Sequence, residues 1–290
     1  MRHRLGMIAR QLGVLLATTV IGGFLTAALV RHSPGFDADE RELDQRLGAE
    51  SREAIRAEHV ANHDVLRFYA KQIGATLRGD FGMSRSLNRP IGELIRARLP
   101  VTLSLMAVGV IGGWTLAFGL ALAVVMWRRR AISFMADSAS TCALCLPSAV
   151  IAAVLFGTGG PVSAIIALVL FPRLFDTLRN LLEDAYSRPH ILTARSKGMG
   201  PVRILAQYVM PACAPAMLAL GGVSVIMAFG TTIPVETLCD LPGIGQLAWK
   251  AAMARDLPLL VTLTLLITLL VQSCNAVSDW IGAGVERKTA

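Results

Sequence analysis

The chain alternates between long apolar runs and polar, mostly basic segments. About 20 consecutive apolar residues cross a bilayer as an α-helix, because every backbone polar group in hydrocarbon has to be satisfied within its own segment. Six runs reach or approach this length and predict six transmembrane helices. Their approximate bounds are 12–30, 101–127, 132–156, 162–175, 211–235 and 258–281.

Three of these runs contain residues that modify a simple helix. The third run has Pro147 at its middle, which predicts a kink whose freed carbonyl is covered by neighbouring helices. The fourth run is short and contains Pro172 and Arg173. The second run offers small surfaces for close helix packing at glycines 109, 112, 113 and 119.

Basic residues concentrate in the segments that six spans place on one side of the membrane. Short segments rich in Lys and Arg stay on the cytoplasmic side. The pattern therefore predicts cytoplasmic N- and C-termini, and it favours keeping the fourth run, since without it a strongly basic loop would lie outside. The basic segments are residues 2–10, 128–130, 173–203 and 287–288.

The segment 31–100 is polar and nearly neutral, with 12 basic and 11 acidic residues, and the six-span count places it outside. Between residues 39 and 73, mixed charges at helical spacing accompany regularly spaced apolar positions, which predicts one or two amphipathic surface helices. The candidate apolar contacts are Leu43, Leu47, Ile55, Val60, Leu66, Tyr69 and Ile73.

The composition agrees with an integral membrane protein, since 54% of the residues are hydrophobic and only 17% are charged. The net charge of +8 arises mainly in the predicted inside loops. It therefore indicates orientation in the membrane and does not indicate a nucleic-acid partner. The N-terminal run is interpreted as an anchor, because Val30 and Arg31 stand where a signal-peptide cleavage site requires small side chains.

The sequence contains none of the common catalytic motifs. It has no G-x-x-x-x-G-K-[ST] phosphate loop, no H-E-x-x-H and no G-x-S-x-G, so we predict a protein that is not an enzyme and binds no cofactor itself. Cys142 and Cys145 lie in an apolar run and are interpreted as small buried thiols. His59 and His63 lack a third strong ligand, so a solvated helix face is favoured and no metal site is predicted.

Residues 193–211, "TARSKGMGPVRILAQYVMP", separate the fourth and fifth runs. They resemble the cytoplasmic loop of permease subunits of binding-protein-dependent ABC importers, which reads E-A-A-x-x-x-G, nine residues, and I-x-L-P. Ala194, Gly198 and Pro211 match at the correct spacing. Leu192 and Thr193 replace the leading glutamate and alanine, as in the dipeptide, oligopeptide and nickel branch of that family.

Two further stretches resemble the same permeases. Residues 79–105, "GDFGMSRSLNRPIGELIRARLPVTLSL", resemble the segment that leads into their second span. Residues 235–260, "VETLCDLPGIGQLAWKAAMARDLPLL", resemble the segment after their fifth span. The resemblance therefore covers roughly residues 79–260.

The resemblance implies a fold, a function and partners. The expected fold is an all-α, multi-pass, type I ABC importer permease, with an anchor and external segment at 1–100 and a permease core at 101–290. The chain is expected to form half of a path for peptides in a bacterial cytoplasmic membrane, in contact with lipid. The implied partners are a second homologous permease, two ABC ATPase subunits that use ATP and Mg, and an extracytoplasmic substrate-binding protein.

The resemblance also implies site residues. A short helix between Pro189 and Gly198 is expected to dock in the ATPase and couple its closure to the spans. The loop after the fifth run is expected to shape an external gate or docking surface, although Glu236 fits a capping or loop role equally well. The coupling residues are Leu192, Thr193, Ala194, Arg195, Lys197, Gly198, Met199 and Pro211, and the external residues are Glu236, Pro242, Gly243 and Gly245.

Polar residues inside spans are costly in hydrocarbon and invite a functional hypothesis. Gln272 and Asn275 in the sixth run either line the path or join neighbouring helices, and the second interpretation is slightly favoured. The short loop 157–161 and the ending "GAGVERK" depart from the family pattern. The substrate therefore stays open, with nickel or another small solute as the alternative to peptides. A membrane scaffold or enzyme that uses residues 31–100 as an external binding module is less favoured.

Overall fold

The computed structural model describes residues 17–26 with residues 13, 28 and 29, and then residues 65–127 and 130–289. These residues are almost entirely helical, as predicted; the β contact among them is an isolated bridge between Met83 and Pro90. The helices are α1 (Ala17–Thr26), α2 (Val65–Leu77), α3 (Ile91–Trp127), α4 (Arg130–Cys145), α5 (Ser148–Gly157), α6 (Val162–Ser187), α7 (Pro189–Ser196), α8 (Pro201–Leu238), α9 (Ile244–Met253) and α10 (Leu257–Thr289).

By packing, the chain divides into two units. The first consists of Met1–Leu99 and Leu247–Leu270, and the second consists of Pro100–Gln246 and Val271–Ala290. In this division the segment 247–270 belongs with the N-terminal part of the chain, so the first unit is discontinuous in sequence. The functional division at residues 1–100 and 101–290 stays a prediction.

The first unit has a small core between α2 and the beginning of α10. Tyr69 packs with Leu257, Val261 and Leu265, and Phe24 and Ile73 cover this cluster. The Tyr69 hydroxyl also donates a hydrogen bond to the carbonyl of Val20, at 2.6 Å. The predicted amphipathic helix is therefore confirmed at residues 65–77, with Tyr69 and Ile73 among its contacts. Leu43, Leu47, Ile55, Val60, His59 and His63 lie outside the described residues.

The second unit is organised around α6, which packs against α4, α5 and α8. The predicted fourth run ended near Phe175, but the helix continues to Ser187. Its polar end is stabilised because Arg179 pairs with Asp137 on α4 and with Glu183 on its own helix. The least regular of the predicted runs is thus a long and deeply buried helix. Its fully buried side chains are Ile165, Ile166, Leu170, Leu174, Phe175, Leu178 and Leu182.

The third predicted run does not form a single helix. It consists of α4 and α5, whose axes differ by 101° at the break around Leu146 and Pro147. Proline has no backbone N–H and its ring clashes with the preceding turn, so α4 ends before it. The Pro147 carbonyl then accepts the N–H of Val150 and opens α5. The expected kink is therefore a complete break.

Close packing of α3 on α6 explains why glycine is present at two of the four glycine positions in the second run. A Cβ on Gly109 would lie 2.6 Å from Cβ of Ile166, and a Cβ on Gly113 would lie 3.2 Å from the Ala167 carbonyl oxygen. Both glycines thus allow the backbones to approach. A Cβ at Gly119 would meet no atom within 4 Å.

Within the described residues, three helices are long and apolar enough to cross a membrane: Ile91–Trp127, Pro201–Leu238 and the Leu257–Ser278 part of α10. The bent pair of α4 and α5 makes a fourth if it is one span. These helices indicate an integral membrane protein of the α-helical class. The count of six and the side on which the termini lie stay predictions.

Candidate functional site

The loop between α6 and α8 contains the short helix predicted there. Helix α7 runs from Pro189 to Ser196, with proline at its first position, where the missing N–H costs nothing. Ile191 and Ala194 are buried against the rest of the chain, whereas Leu192 is 63% exposed. Thr193 and Arg195 are exposed as well. The helix is therefore anchored by one face and presents an apolar and cationic face outward.

The end of α7 is fixed by a two-bond turn that requires Gly198. Gly198 has φ of +77°. Its N–H donates to the Arg195 carbonyl at 2.9 Å, and the N–H of Met199 donates to the Ala194 carbonyl at 3.3 Å. This is the Schellman pattern, in which a residue in the left-handed region lets orphan carbonyls find donors. Lys197 and Gly198 are exposed and Met199 is half-buried.

Pro211 lies inside α8. The helix already begins at Pro201, ten residues before the predicted start of the fifth run. Directly before Pro211 the helix widens into a π-helical turn, Leu205–Val209, in which the N–H of Met210 donates to the Leu205 carbonyl. Because Pro211 has no N–H to donate, a local change in hydrogen-bond register is expected at this position.

Glu236 is the centre of a buried polar cluster at the end of α8. Its side chain has no solvent exposure. One carboxylate oxygen accepts the Thr102 hydroxyl at 2.7 Å, and the other accepts the N–H groups of Gly245 at 2.7 Å and Gln246 at 3.1 Å. These N–H groups belong to the first turn of α9, where a negative charge is stabilised by the helix dipole. Of the two roles left open for Glu236, the geometry supports capping.

Gly243 and Gly245 are needed because the backbone approaches this cluster closely. A Cβ on Gly243 would lie 2.1 Å from the Glu236 carboxyl group, and one on Gly245 would lie 2.8 Å from Cα of Ile233. Both glycines are buried, whereas Pro242 is exposed. The four predicted external residues therefore separate into a buried cluster and one exposed position.

A second buried cluster, in the first unit, was not predicted from the sequence. Asp256 precedes α10 and accepts the N–H of Leu259 at 3.2 Å, as an N-cap residue does. Its other oxygen accepts the hydroxyls of Ser84 at 2.6 Å and Ser86 at 2.9 Å, and the N–H of Ser86 at 2.9 Å. Asp256 and Ser84 are each 1% exposed. This carboxylate joins two of the stretches that carry the family resemblance.

We expect Asp256→Ala to lower the stability of the chain in detergent. The change removes the N-cap of α10 and leaves the buried Ser84 hydroxyl without its charged acceptor, which costs about 2–4 kcal/mol together. The heat-induced aggregation midpoint measures this loss. Ser86→Ala is the control: its side chain is exposed, so the expected shift is smaller. Equal midpoints for Asp256→Ala and wild type would contradict the assignment.

Gln272 and Asn275 lie one turn apart on α10, and the Asn275 amide donates to the Gln272 amide oxygen at 3.2 Å. Both side chains are half-buried. A Cβ on Gly222 of α8 would lie 3.3 Å from the Asn275 amide oxygen, so this glycine makes room for α10. The contact agrees with the helix-joining interpretation, and the path-lining role stays a prediction.

Four polar residues of these clusters were not predicted as site residues from the sequence. Thr102, Ser84, Ser86 and Asp256 lie inside the two outer stretches of the resemblance, in or next to an apolar run. That pattern identifies candidates for hydrogen bonding, but it does not pair residues more than 130 positions apart.

Several apolar helices of spanning length, with a short and partly exposed helix between two longer ones, define an α-helical integral membrane protein. Residues 109–290, more than half of the chain, match the family of binding-protein-dependent transport system inner membrane components. The chain belongs to this family.

Relatives align with nearly the whole chain at modest identity. The oligopeptide transport system permease protein AppB of Bacillus subtilis is 25% identical over 304 residues, covering 94% of each chain. The glutathione transport system permease protein GsiC of Escherichia coli is 22% identical and covers 96% of each. The oligopeptide transport system permease protein OppB of Haemophilus influenzae is 25% identical and covers 81% of this chain and 83% of its own.

Proposed function

We propose that the chain is the permease subunit of an ATP-driven importer and forms half of the path through which peptides cross the membrane. The full-length similarity to oligopeptide and glutathione permeases supports peptides as the substrate class. The nickel alternative has no comparable support from these relatives. A scaffold or enzyme is disfavoured by family membership.

The observation that carries this proposal is the geometry of α7. Two side chains, Ile191 and Ala194, anchor the helix, and the opposite face leaves Leu192 and Arg195 free to contact another protein. Gly198 fixes where the helix ends. A short rigid helix of this kind transmits movement, because force on its exposed face reaches α6 and α8 through short connections. In the proposal the ATPase subunits supply this force and use ATP with Mg.

The proposed arrangement is a type I importer permease with six transmembrane helices and cytoplasmic termini in the bacterial cytoplasmic membrane. The basic segments favour the side that holds α7 as the cytoplasmic side. The loop after α8 then faces outward, where Pro242 is exposed towards a substrate-binding protein. A second, homologous permease subunit completes the path.

The test is copurification of ATPase subunits with the tagged chain, followed by ATPase activity and uptake of a labelled oligopeptide in the assembled complex. We expect Leu192→Asp to release the ATPases or to reduce uptake at least about tenfold, since burying an unpaired charge at an interface costs more than 1.4 kcal/mol. Leu192→Met keeps the apolar contact and serves as the matched control.

Two outcomes would overturn the proposal. The first is a wild-type chain that copurifies with no nucleotide-binding protein in mild detergent or nanodiscs. The second is full uptake by Leu192→Asp, which would leave α7 as a basic loop that only sets orientation. Arg195→Glu extends the test to the charge on the same face.

A further inference from the structure

A cleft in the second unit shares Leu192 and Arg195 with the face of α7 that is assigned to the ATPase. The cleft measures about 510 Å³ and lies between the end of α3, the start of α4, the end of α6 and α7. Its walls combine aliphatic and cationic side chains. They include Val124, Val125, Arg130, Tyr186, Leu192 and Arg195.

The polar wall of the cleft has positive charge and an unused hydrogen-bond donor. The Tyr186 hydroxyl is buried and has no hydrogen-bond partner among the described residues. Arg130 and Arg195 form no ion pair with another residue of the described chain. Tyr186 and Arg195 both line the cleft. Burial raises the pKa of the Tyr186 phenol, and the positive charge of Arg195 opposes that shift.

The acidic residue in the cleft does not pair with these two arginines. Glu183 lines the cleft, but it bonds to Nε of Arg179 at 2.9 Å, and Arg179 pairs with Asp137 as well. The guanidinium groups of Arg130 and Arg195 are therefore left to donate to a ligand. A buried donor without an acceptor costs about 1–3 kcal/mol, and an anionic oxygen beside Tyr186 removes this cost.

The position of the cleft indicates that the anion belongs to a membrane lipid. The cleft lies at the end of α3, a helix of spanning length that finishes in Trp127, and this indole is 68% exposed. Exposed Trp residues at the ends of spans sit at the level of lipid headgroups. The sequence adds Arg128 and Arg129 directly before Arg130. Basic pockets between spanning helices on the cytoplasmic side bind anionic headgroups.

We propose that this cleft binds the phosphate headgroup of an anionic phospholipid. The phosphate oxygens accept from the Arg130 and Arg195 guanidinium groups and from the Tyr186 hydroxyl, and the acyl chains follow the apolar wall formed by Val124 and Val125. The bound lipid lies at the edge of the α7 face assigned to the ATPase. The inference depends on the membrane placement of the chain and is independent of the ATPase partner.

The experiment measures lipid retained by the full-length chain, purified without partners from nanodiscs of phosphatidylcholine with phosphatidylglycerol, by native mass spectrometry. The wild type is expected to retain phosphatidylglycerol in preference to phosphatidylcholine. We expect Arg130→Gln to reduce retention about fivefold, from the loss of one cation near the membrane surface. Adding Tyr186→Phe extends the loss to at least about tenfold, because a hydrogen bond to a charged group is lost.

The matched control is Arg173→Gln with Tyr208→Phe. It removes one exposed cation and one phenol hydroxyl from the same unit, and neither residue lines the cleft. Its retention of phosphatidylglycerol is expected to stay within about twofold of wild type. Misfolding would not explain a loss of lipid caused by Tyr186→Phe. Removing a buried hydroxyl that has no protein partner is not expected to destabilise the chain.

Three results would overturn the proposal. They are equal retention of the two lipids by wild type, unchanged phosphatidylglycerol in the double variant, and complete release of the lipid by millimolar inorganic phosphate. The last result would show that free phosphate suffices and that the apolar wall holds no acyl chain. Failure here leaves the copurification of ATPase subunits unaffected, so the two proposals are tested separately.

Discussion

Replacing Glu236 by alanine is expected to abolish transport and to destabilise the chain more than the other substitutions described above. Its carboxylate is fully buried and accepts hydrogen bonds from the Thr102 hydroxyl and the N–H groups of Gly245 and Gln246. Truncation leaves these donors buried without an acceptor, at about 1–3 kcal/mol for each group, and opens a cavity. The measurement is the heat-induced aggregation midpoint of the purified chain, together with oligopeptide uptake.

Two further variants test the contribution of the Glu236 carboxylate apart from that of the residues around it. Gly243→Ala is expected to approach the effect of Glu236→Ala, because the new methyl group would lie 2.1 Å from the carboxyl group. Thr102→Val removes one hydroxyl and keeps the charge with its two backbone donors. Since the Ile244 N–H also bonds to this hydroxyl at 2.7 Å, we expect a loss of about 1–2 kcal/mol. A Glu236→Ala protein as stable as Thr102→Val would contradict this account.

Gly198→Val is expected to reduce uptake strongly while the chain still inserts and accumulates. At φ of +77°, a β-branched side chain strains the backbone, and the turn that ends α7 has to rearrange. The Gly198 N–H and Met199 N–H bonds would be lost and the exposed face of α7 would shift. No atom lies within 4 Å of a Cβ built at Gly198, so the effect comes from backbone conformation and not from a clash.

Gly198→Asn is the matched control, because asparagine tolerates the left-handed region better than other residues with a Cβ. It is expected to keep most of the uptake, whereas Gly198→Val loses at least about tenfold, corresponding to a strain of roughly 1–2 kcal/mol in the docking geometry. Equal activity of the two variants would show that the turn is not needed. ATPase copurification measured in parallel distinguishes two causes of lost uptake. Loss of the ATPases indicates loss of docking, and their retention indicates loss of coupling.

The helical architecture and several element positions follow from the hydrophobic pattern, because spanning helices need long apolar runs. The second, fifth and sixth predicted runs lie within α3, α8 and α10. The pattern failed where a proline or charges interrupt a run. The hydrophobic pattern predicted one run for α4 and α5, which Pro147 separates. It also predicted an end of α6 twelve residues too early, because the sequence does not show that Arg179 pairs with Asp137.

The candidate sites were predicted with different success for physical reasons. The α7 helix and its end at Gly198 depend on residues that are neighbours in the chain, so both can be predicted from the sequence. The buried position of Glu236 depends on Thr102, which is remote in sequence, so an external gate or docking role and a capping or loop role were equally compatible with the pattern. The pairing of Ser84 with Asp256 is more remote still and needed the structure.

The discontinuity of the first unit has a consequence for how the protein is made. Ser84 and Ser86 leave the ribosome long before Asp256, and residues 100–246 are synthesised in between. At about 5–20 residues per second, this interval lasts roughly 10 to 30 seconds. During that time the N-terminal helices lack the half of their core that Leu257, Val261 and Leu265 supply. The nascent chain therefore enters the membrane with its N-terminal part incomplete, and that part is completed only after residues 247–270 have been translated.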